Sequence, residues 1–385
     1  MNYENDKKRK PPSSIANDKR QRLDRDLDES SEHNTPIRTG VRSATEAAEV
    51  VLKYNPYIHF DDGKLYVFDK ETGKYDSNGH GVYKSMQRCS HKLHILKKTK
   101  KGFELTDQSY AGMDSKQKQL VACLKKLAVS PGWFLSMKNT DNNYLLFNNG
   151  YYHDKIFYDK ETHGFNPNIM FTGCIPHDFT PQTAEQYAYS EDIKKRFFYQ
   201  SIGDPDTADR FIQSTGCALS RKTTTPKPIF FGTSPDECGK SAIVNAFNRS
   251  FGSYANLFDA DRFTNVHKQS YYHSDKAKKW MREERLKGCR IIFSNFIKYR
   301  ENVDSRELEL AASEFVTIIF ASYMPKIKMY HDVQIDTSMS FKFKNKFVDT
   351  EPENDTEFKK EYGIHKEMDT IRFQQAFVHM VLGAK

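Results

Sequence analysis

PIFFGTSPDECGKSAIVNAFNRSF, residues 228–251, decides the fold. A short apolar run, Ile229 to Phe231, meets a turn ending Gly239-Lys240-Ser241, and a segment with apolar residues at Ile243, Val244, Ala246 and Phe247 follows at helical spacing. Strand, glycine-containing turn and helix in this order are what a phosphate-binding loop requires. Backbone amides at the helix start would cradle phosphate oxygens, Lys240 would reach the outer phosphates of ATP or another NTP, and the Ser241 hydroxyl would ligate magnesium. The usual spacing GxxxxGK[ST] is not met: Ser234 stands where the first glycine belongs, and Gly232 lies two residues earlier. The loop is therefore expected to be longer or differently closed, with Gly232, Ser234, Gly239, Lys240 and Ser241 as its nucleotide-binding set. Asp236 and Glu237 put negative charge beside the phosphates, which opposes binding unless they point outward. A strand, turn and helix of this pattern also occurs as plain structure without a ligand.

Upstream, SRKTTTPKP (220–228) reads as a linker that ends a helical unit over roughly 183–222. Before it, NYLLFNNGYYHDKIFYDKETHGF (143–165) carries Asn149-Gly150 between apolar runs, a hairpin signal. YIHFDDGKLYVFDKETGKY (57–75) alternates apolar and polar residues around Asp62-Gly63 and Thr72-Gly73, as a meander does. SATEAAEVVLKY (43–54) reads as a capped amphipathic helix, and a second helix is expected at about 114–129. The expected organisation is a disordered basic tail (1–41), a small α/β domain (42–182), a helical lead-in (183–222) and a P-loop ATPase domain (223–385), an α/β architecture throughout.

The chain has 385 residues, of which 59 are Lys or Arg and 51 Asp or Glu, a formal surplus of eight positive charges. Between Lys84 and Lys126 eleven Lys/Arg face three acids, so this one segment accounts for the whole surplus. Lysines held against a phosphate backbone release counterions and bind without reading sequence, which makes Lys97, Lys98, Lys100 and Lys101 candidate DNA contacts; a solvated charged face gives the same pattern. Within the segment Cys89, His91 and His94, with His80 upstream, are residue types that zinc accepts. Their spacing matches no standard finger, so a cluster without metal is expected. Residues 1–40 are polar and nearly free of aromatics, and Lys7-Lys8-Arg9-Lys10 with Lys19-Arg20 and Arg22 resemble a bipartite nuclear-import signal. No apolar run approaches the roughly 18 residues of a membrane span, the N-terminus lacks a secretory core, and the six cysteines include no CxxC pair, so membrane and secreted classes are excluded.

From about residue 140 onward the order of motifs resembles the superfamily 3 helicases, specifically the primase-associated helicases of poxvirus-like large DNA viruses, phages and related mobile elements. NYLLFNNGYYHDKIFYDKETHGF…FTGCIPHDFTP resembles a segment they carry upstream of the ATPase, and FIQSTGCALSRKTTTPKPIFFGTSPDECGKS their lead-in to Walker A. KGCRIIFSNF (287–296) resembles the Walker B strand, VTIIFASYMPKI (316–327) the sensor-1 strand, and FKFKNKFVD (341–349) the segment beyond the arginine finger. The resemblance implies an AAA+-like module that assembles as a hexameric ring, uses ATP or another NTP with magnesium, and translocates on DNA, single-stranded by expectation. It also implies work at a nuclear or cytoplasmic viral replication site. Members of the family commonly carry a primase domain before the helicase, and the roughly 140 residues ahead of the recognised region, about forty of them tail, are too few for one, so a separate primase is expected.

The family's chemistry does not carry over in full. Asn295 stands where the Walker B glutamate would polarise water; it can orient a water but cannot take its proton. Tyr323 aligns with the polar sensor asparagine, and Ile335 to Ser340 replace the expected arginines. About twenty residues separate Asn295 from the next strand, where the family inserts a DNA-tracking hairpin. Asp259 and Asp261 follow a short apolar run and Glu314 precedes the VTIIF strand, so each is a substitute acid for magnesium or, as expected, a cap or surface charge; Arg300 and Arg306 are substitute arginines across a subunit interface that no spacing supports. Two functions follow from the residues: an NTP-dependent DNA helicase of viral or mobile-element replication, or a catalytically decayed relative that binds nucleotide and DNA as an accessory replication protein.

Overall fold

The computed structural model describes residues 38–137, 143–171, 173–220, 228–233, 236–258, 263, 288–294, 302–321, 324–328 and 338–383. The basic clusters near the N-terminus, Ser234, Asp259, Asp261, Asn295, Arg300 and Tyr323 lie outside these residues. Contacts divide the chain into two compact units, one of residues up to Tyr54 with Lys84–Leu127, the other of Asn55–Tyr83 with Ala128–Lys385.

The first unit packs helix Ala44–Tyr54 on helix Asp114–Leu127. Ala47, Ala48 and Val51 fall on one face of the first helix, Leu120 and Leu124 on one face of the second, and all five are buried. That is the three-and-four spacing expected of amphipathic helices. Beside them, His94–Thr99 and Gly102–Ser109 form an antiparallel hairpin, and Gly40–Val41 pairs in parallel with His94 and Ile95.

The second unit is built on a five-stranded, wholly parallel sheet: β1 (Ile229–Thr233), β2 (Ala255–Phe258), β3 (Ile291–Ser294), β4 (Val316–Ala321) and β5 (Ser338–Lys342), in the spatial order β2-β3-β4-β1-β5. Alternation along each strand sends its residues to two different cores. Phe230, Ile291, Phe293, Val316, Ile318 and Phe320 face a large aromatic core, whereas Ile229, Phe231, Ile292 and Ile319 face a smaller one closed by Leu308, Ala311 and Ala312 of α4 (Ser305–Glu314). The runs read as continuous apolar stretches because both sheet faces are covered, as parallel sheets demand.

The larger core is closed by α2 (Pro205–Ser220), α3 (Lys240–Phe251) and α5 (Ile371–Gly383). Phe247 of α3 sits 5.2 Å from Phe293 and 5.1 Å from Phe377 between ring centres, and Phe211 of α2 sits 5.7 Å from Phe230. Ahead of α2, α1 (Ala184–Lys194) starts with a capping box in which Thr183 and Gln186 satisfy each other's backbone amides, then passes into a π-helical turn over Lys195–Tyr199. The meander Ile58–Asp61, Lys64–Asp69, Lys74–Asp76 and the three-stranded sheet Tyr144–Phe147, Gly150–His153, Ile156–Asp159 share a further core of Phe68, Leu146, Tyr151, Phe165, Ile169 and Phe171. Arg290, just before β3, donates to the carbonyl oxygens of Leu219 and Tyr144 and lies 4.6 Å over the Tyr254 ring, tying that sheet to α2 and the parallel sheet.

The protein is thus a mixed α/β molecule whose central parallel sheet carries helices on both faces. Among the described residues no helix is long and apolar enough to cross a membrane.

Candidate functional site

β1 runs between β4 and β5, and the chain leaves its C-terminal end to enter α3. The outer ends of such strands are where open parallel sheets bind ligands, because helix N-termini converge there. Gly232 is still inside β1, paired opposite Phe320 and Phe341. A Cβ at Gly232 would stand 2.8 Å from the Phe320 ring and 3.0 Å from the Phe341 ring, so close packing within the sheet requires glycine there. The turn proper therefore begins beyond Thr233 and reaches the helix through Asp236, Glu237, Cys238 and Gly239.

Gly239 precedes α3 with φ +88° and ψ 0°, a left-handed conformation that L side chains rarely adopt. It is also crowded: a Cβ would lie 2.5 Å from Ser201 Oγ and 3.0 Å from the Phe347 ring. Two independent constraints thus select glycine immediately before Lys240. The Ile243 amide bonds the Gly239 carbonyl at 3.1 Å, closing the first helical turn. Amides at a helix start have no partner within the helix, and they carry the positive end of its dipole.

Lys240 is half-buried at this position and Ser241 is exposed beside it. Burial pushes the Lys240 ammonium below its ordinary value, while Cys238 and Asp236 pull in the opposite direction. A cation held where water is scarce gains most from an arriving anion. Glu237, which also has a positive φ of 59°, turns its carboxylate toward Lys360 at 2.8 Å and Lys346 at 3.7 Å. The hydrogen bond and charge of Lys360 hold Glu237 below the usual carboxylate range. Its backbone carbonyl accepts from the Phe347 amide at 2.8 Å. The charge of Glu237 is thereby directed toward the segment 346–360 and neutralised there, whereas Asp236 remains near enough to act on the Lys240 ammonium. Glycine conformation, helix-start amides, a desolvated ammonium and an adjacent hydroxyl form a donor set that fits a polyphosphate with its magnesium.

Ser201, Lys346 and Lys360 were not singled out by sequence reasoning. Lys360 is 123 residues from Glu237, and no local spacing signals such a pair. β3 ends at Ser294, whose Oγ accepts the Phe320 amide at 3.0 Å and extends the β3–β4 ladder by one bond. Arg306 lies in the first turn of α4, where its amide bonds the capping carboxylate of Asp304 at 2.9 Å.

In the other unit Lys97, Lys98, Lys100 and Lys101 are all exposed, on the hairpin and its turn. Cys89 is buried with its thiol 3.3 Å from the Ser85 carbonyl, and burial pushes it up to about 11. Metal-binding thiols must be deprotonated, which this environment opposes. Among the described residues no group of three His, Cys, Asp or Glu side chains is placed to hold a metal ion.

No family model matches the chain. Over 347 residues it is 23% identical to "Putative helicase V13" of Sputnik virophage, an alignment spanning 84% of this chain and 43% of that protein. The chain thus spans less than half the length of this curated relative. Among solved structures it is similar to the apo C-terminal region of NrS-1, with TM-scores of 0.42 and 0.41 in two structures at 12% and 10% identity; the matches cover 89% and 90% of this chain and 69% and 70% of those chains.

Proposed function

We propose that the protein is an NTP-dependent DNA helicase serving viral or mobile-element replication, in the manner of the superfamily 3 enzymes its motifs resemble. The observation that carries this reading is the placement of Gly239-Lys240-Ser241 at the start of α3, directly after β1, an interior strand of the parallel sheet. The similarity to a virophage protein named as a helicase supports the same reading. In it the amides at the start of α3 bind the phosphates of ATP or another NTP, and Lys240 neutralises their outer charge. Ser241 holds magnesium, which would supply charge neutralisation at the leaving oxygens. The basic unit engages single-stranded DNA through Lys97, Lys98, Lys100 and Lys101. A homo-oligomeric ring and a separate primase complete the proposal, with the domain division 1–41, 42–182, 183–222 and 223–385 as its working frame.

Asn295 favours a second reading, a nucleotide- and DNA-binding accessory protein without turnover, since an amide cannot accept the proton of an attacking water. One experiment separates the two. Purified protein with ATP, magnesium and single-stranded DNA is expected to release phosphate, and Lys240→Ala to reduce release to background. No release above Lys240→Ala, with release gained on Asn295→Glu, establishes the accessory reading. No nucleotide binding by calorimetry in either form removes both.

A further inference from the structure

The hairpin His94–Thr99/Gly102–Ser109 has two unequal faces. Cross-strand pairing sets Lys98 opposite Phe103 and Leu96 opposite Leu105. Side chains alternate along a strand and meet their cross-strand partners, so these four share one face, while the pair Lys97 and Glu104 falls on the other. On the first face Phe103 is 49% exposed and Leu105 44% exposed. The Arg42 guanidinium lies 4.8 Å from the centre of the Phe103 ring. Lys100 and Lys101 stand exposed at the turn next to Phe103. Two residues beyond Leu105 on the same strand, Asp107 pairs with Arg38 at 3.7 Å. A half-exposed aromatic ring therefore sits among cations, with the Arg42 guanidinium over it and the Asp107 carboxylate engaged by Arg38.

We propose that this face is a stacking platform for unpaired bases of single-stranded DNA, with Phe103 against a base and Lys98, Lys100 and Lys101 against the neighbouring phosphates. The inference rests on reading the basic unit as the DNA-binding part of the molecule, and it adds what that part recognises. Lysines alone bind duplex and single strand alike, because both present phosphates. A ring gains nothing from a duplex whose base faces are already stacked, whereas every unpaired base offers a π-face. Arg42 beside the ring extends the platform, since guanidinium planes also stack on bases. A second copy of this chain is disfavoured as the occupant, because each copy brings the same positive surplus to the contact.

The test measures fluorescence anisotropy of labelled oligo(dT) and of a duplex of equal length with the full chain, over a salt series, for wild type, Phe103→Ala, Phe103→Tyr and a Lys97/Lys98/Lys100/Lys101→Gln variant. Phe103→Ala is expected to weaken oligo(dT) binding about 5- to 150-fold, to change duplex binding by less than about twofold, and to leave the salt slope unaltered. Phe103→Tyr is expected to stay within about threefold of wild type, since it keeps the ring. Equal losses on single strand and duplex, or no loss on either, overturn the stacking platform; if the lysine variant is then still weakened, the DNA-binding reading survives. Wild type binding neither oligomer ends that reading and the platform with it. A fall in sedimenting mass on Phe103→Ala in the absence of DNA reassigns the face to contact between copies and overturns the proposal.

Discussion

Gly239 meets two separate demands, a positive φ and a neighbour, Ser201 Oγ, 2.5 Å from where a Cβ would stand. Gly239→Ala is therefore expected to cost about 1–3 kcal/mol, read as a lower urea midpoint, with nucleotide affinity falling in the same variant. Adding Ser201→Ala should restore part of the stability, because it removes the nearer clash but leaves the backbone strain; strictly additive losses would show that the two residues do not meet. At this scale Gly239-Lys240-Ser241 was legible because the motif is local in sequence. The motif spacing assigns Gly232 to the loop, whereas it lies in β1 beside the Phe320 and Phe341 rings, contacts that only strand pairing creates. Phosphate binding requires Glu237 to turn outward, and Lys360 and Lys346 hold it there from more than a hundred residues away.

Among the elements, the junction of α1 with Ile364–Met368 is held by ions rather than by apolar packing alone. Arg196 in the π-helical turn donates to Glu367 at 2.6 and 2.9 Å, to Glu361 at 2.9 Å and to Asp192 at 2.8 Å, and the Tyr189 hydroxyl donates to Glu367 at 2.5 Å. The Arg196 hydrogen bonds hold Glu367 below the usual carboxylate range. A carboxylate lowered in this way stabilises the fold while ionised, and that contribution disappears as pH falls through its native value. Glu367→Gln is expected to lose about 1–3 kcal/mol at neutral pH, and the gap from wild type should close on acidification below about pH 4, as measured by denaturant melts across pH. Turn chemistry explains which elements a reader can find. Asp62 and Gly63 both have positive φ, as the Asp-Gly signal requires, and the strands on either side pair as expected. Asp154 and Lys155 make a turn with equally positive φ of 46° and 68° but contain no glycine, and this hairpin had no local signal.

Across the whole molecule, the strand order β2-β3-β4-β1-β5 joins segments up to about 110 residues apart in sequence, and period-two patterns name strands without naming their neighbours. The discontinuity of the first unit, which brings Lys84–Leu127 to residues before Asn55, is hidden for the same reason. Charge, by contrast, is countable along the chain, and the four lysines at 97, 98, 100 and 101 emerge exposed on one hairpin. Replacing all four with Gln is expected to reduce the slope of log affinity against log salt by up to about 3 for single-stranded DNA, at roughly 0.7 per phosphate contact; an unchanged slope would place the DNA elsewhere. The closure of the larger core has a temporal side. Helix α5 supplies Phe373 and Phe377 to rings at Phe197, Phe198 and Phe247 that are laid down well over a hundred residues earlier. During synthesis those rings await a helix the ribosome has not yet released, so a nascent chain stalled ahead of Ile371 carries an open aromatic surface, the substrate on which chaperones and misassembly compete.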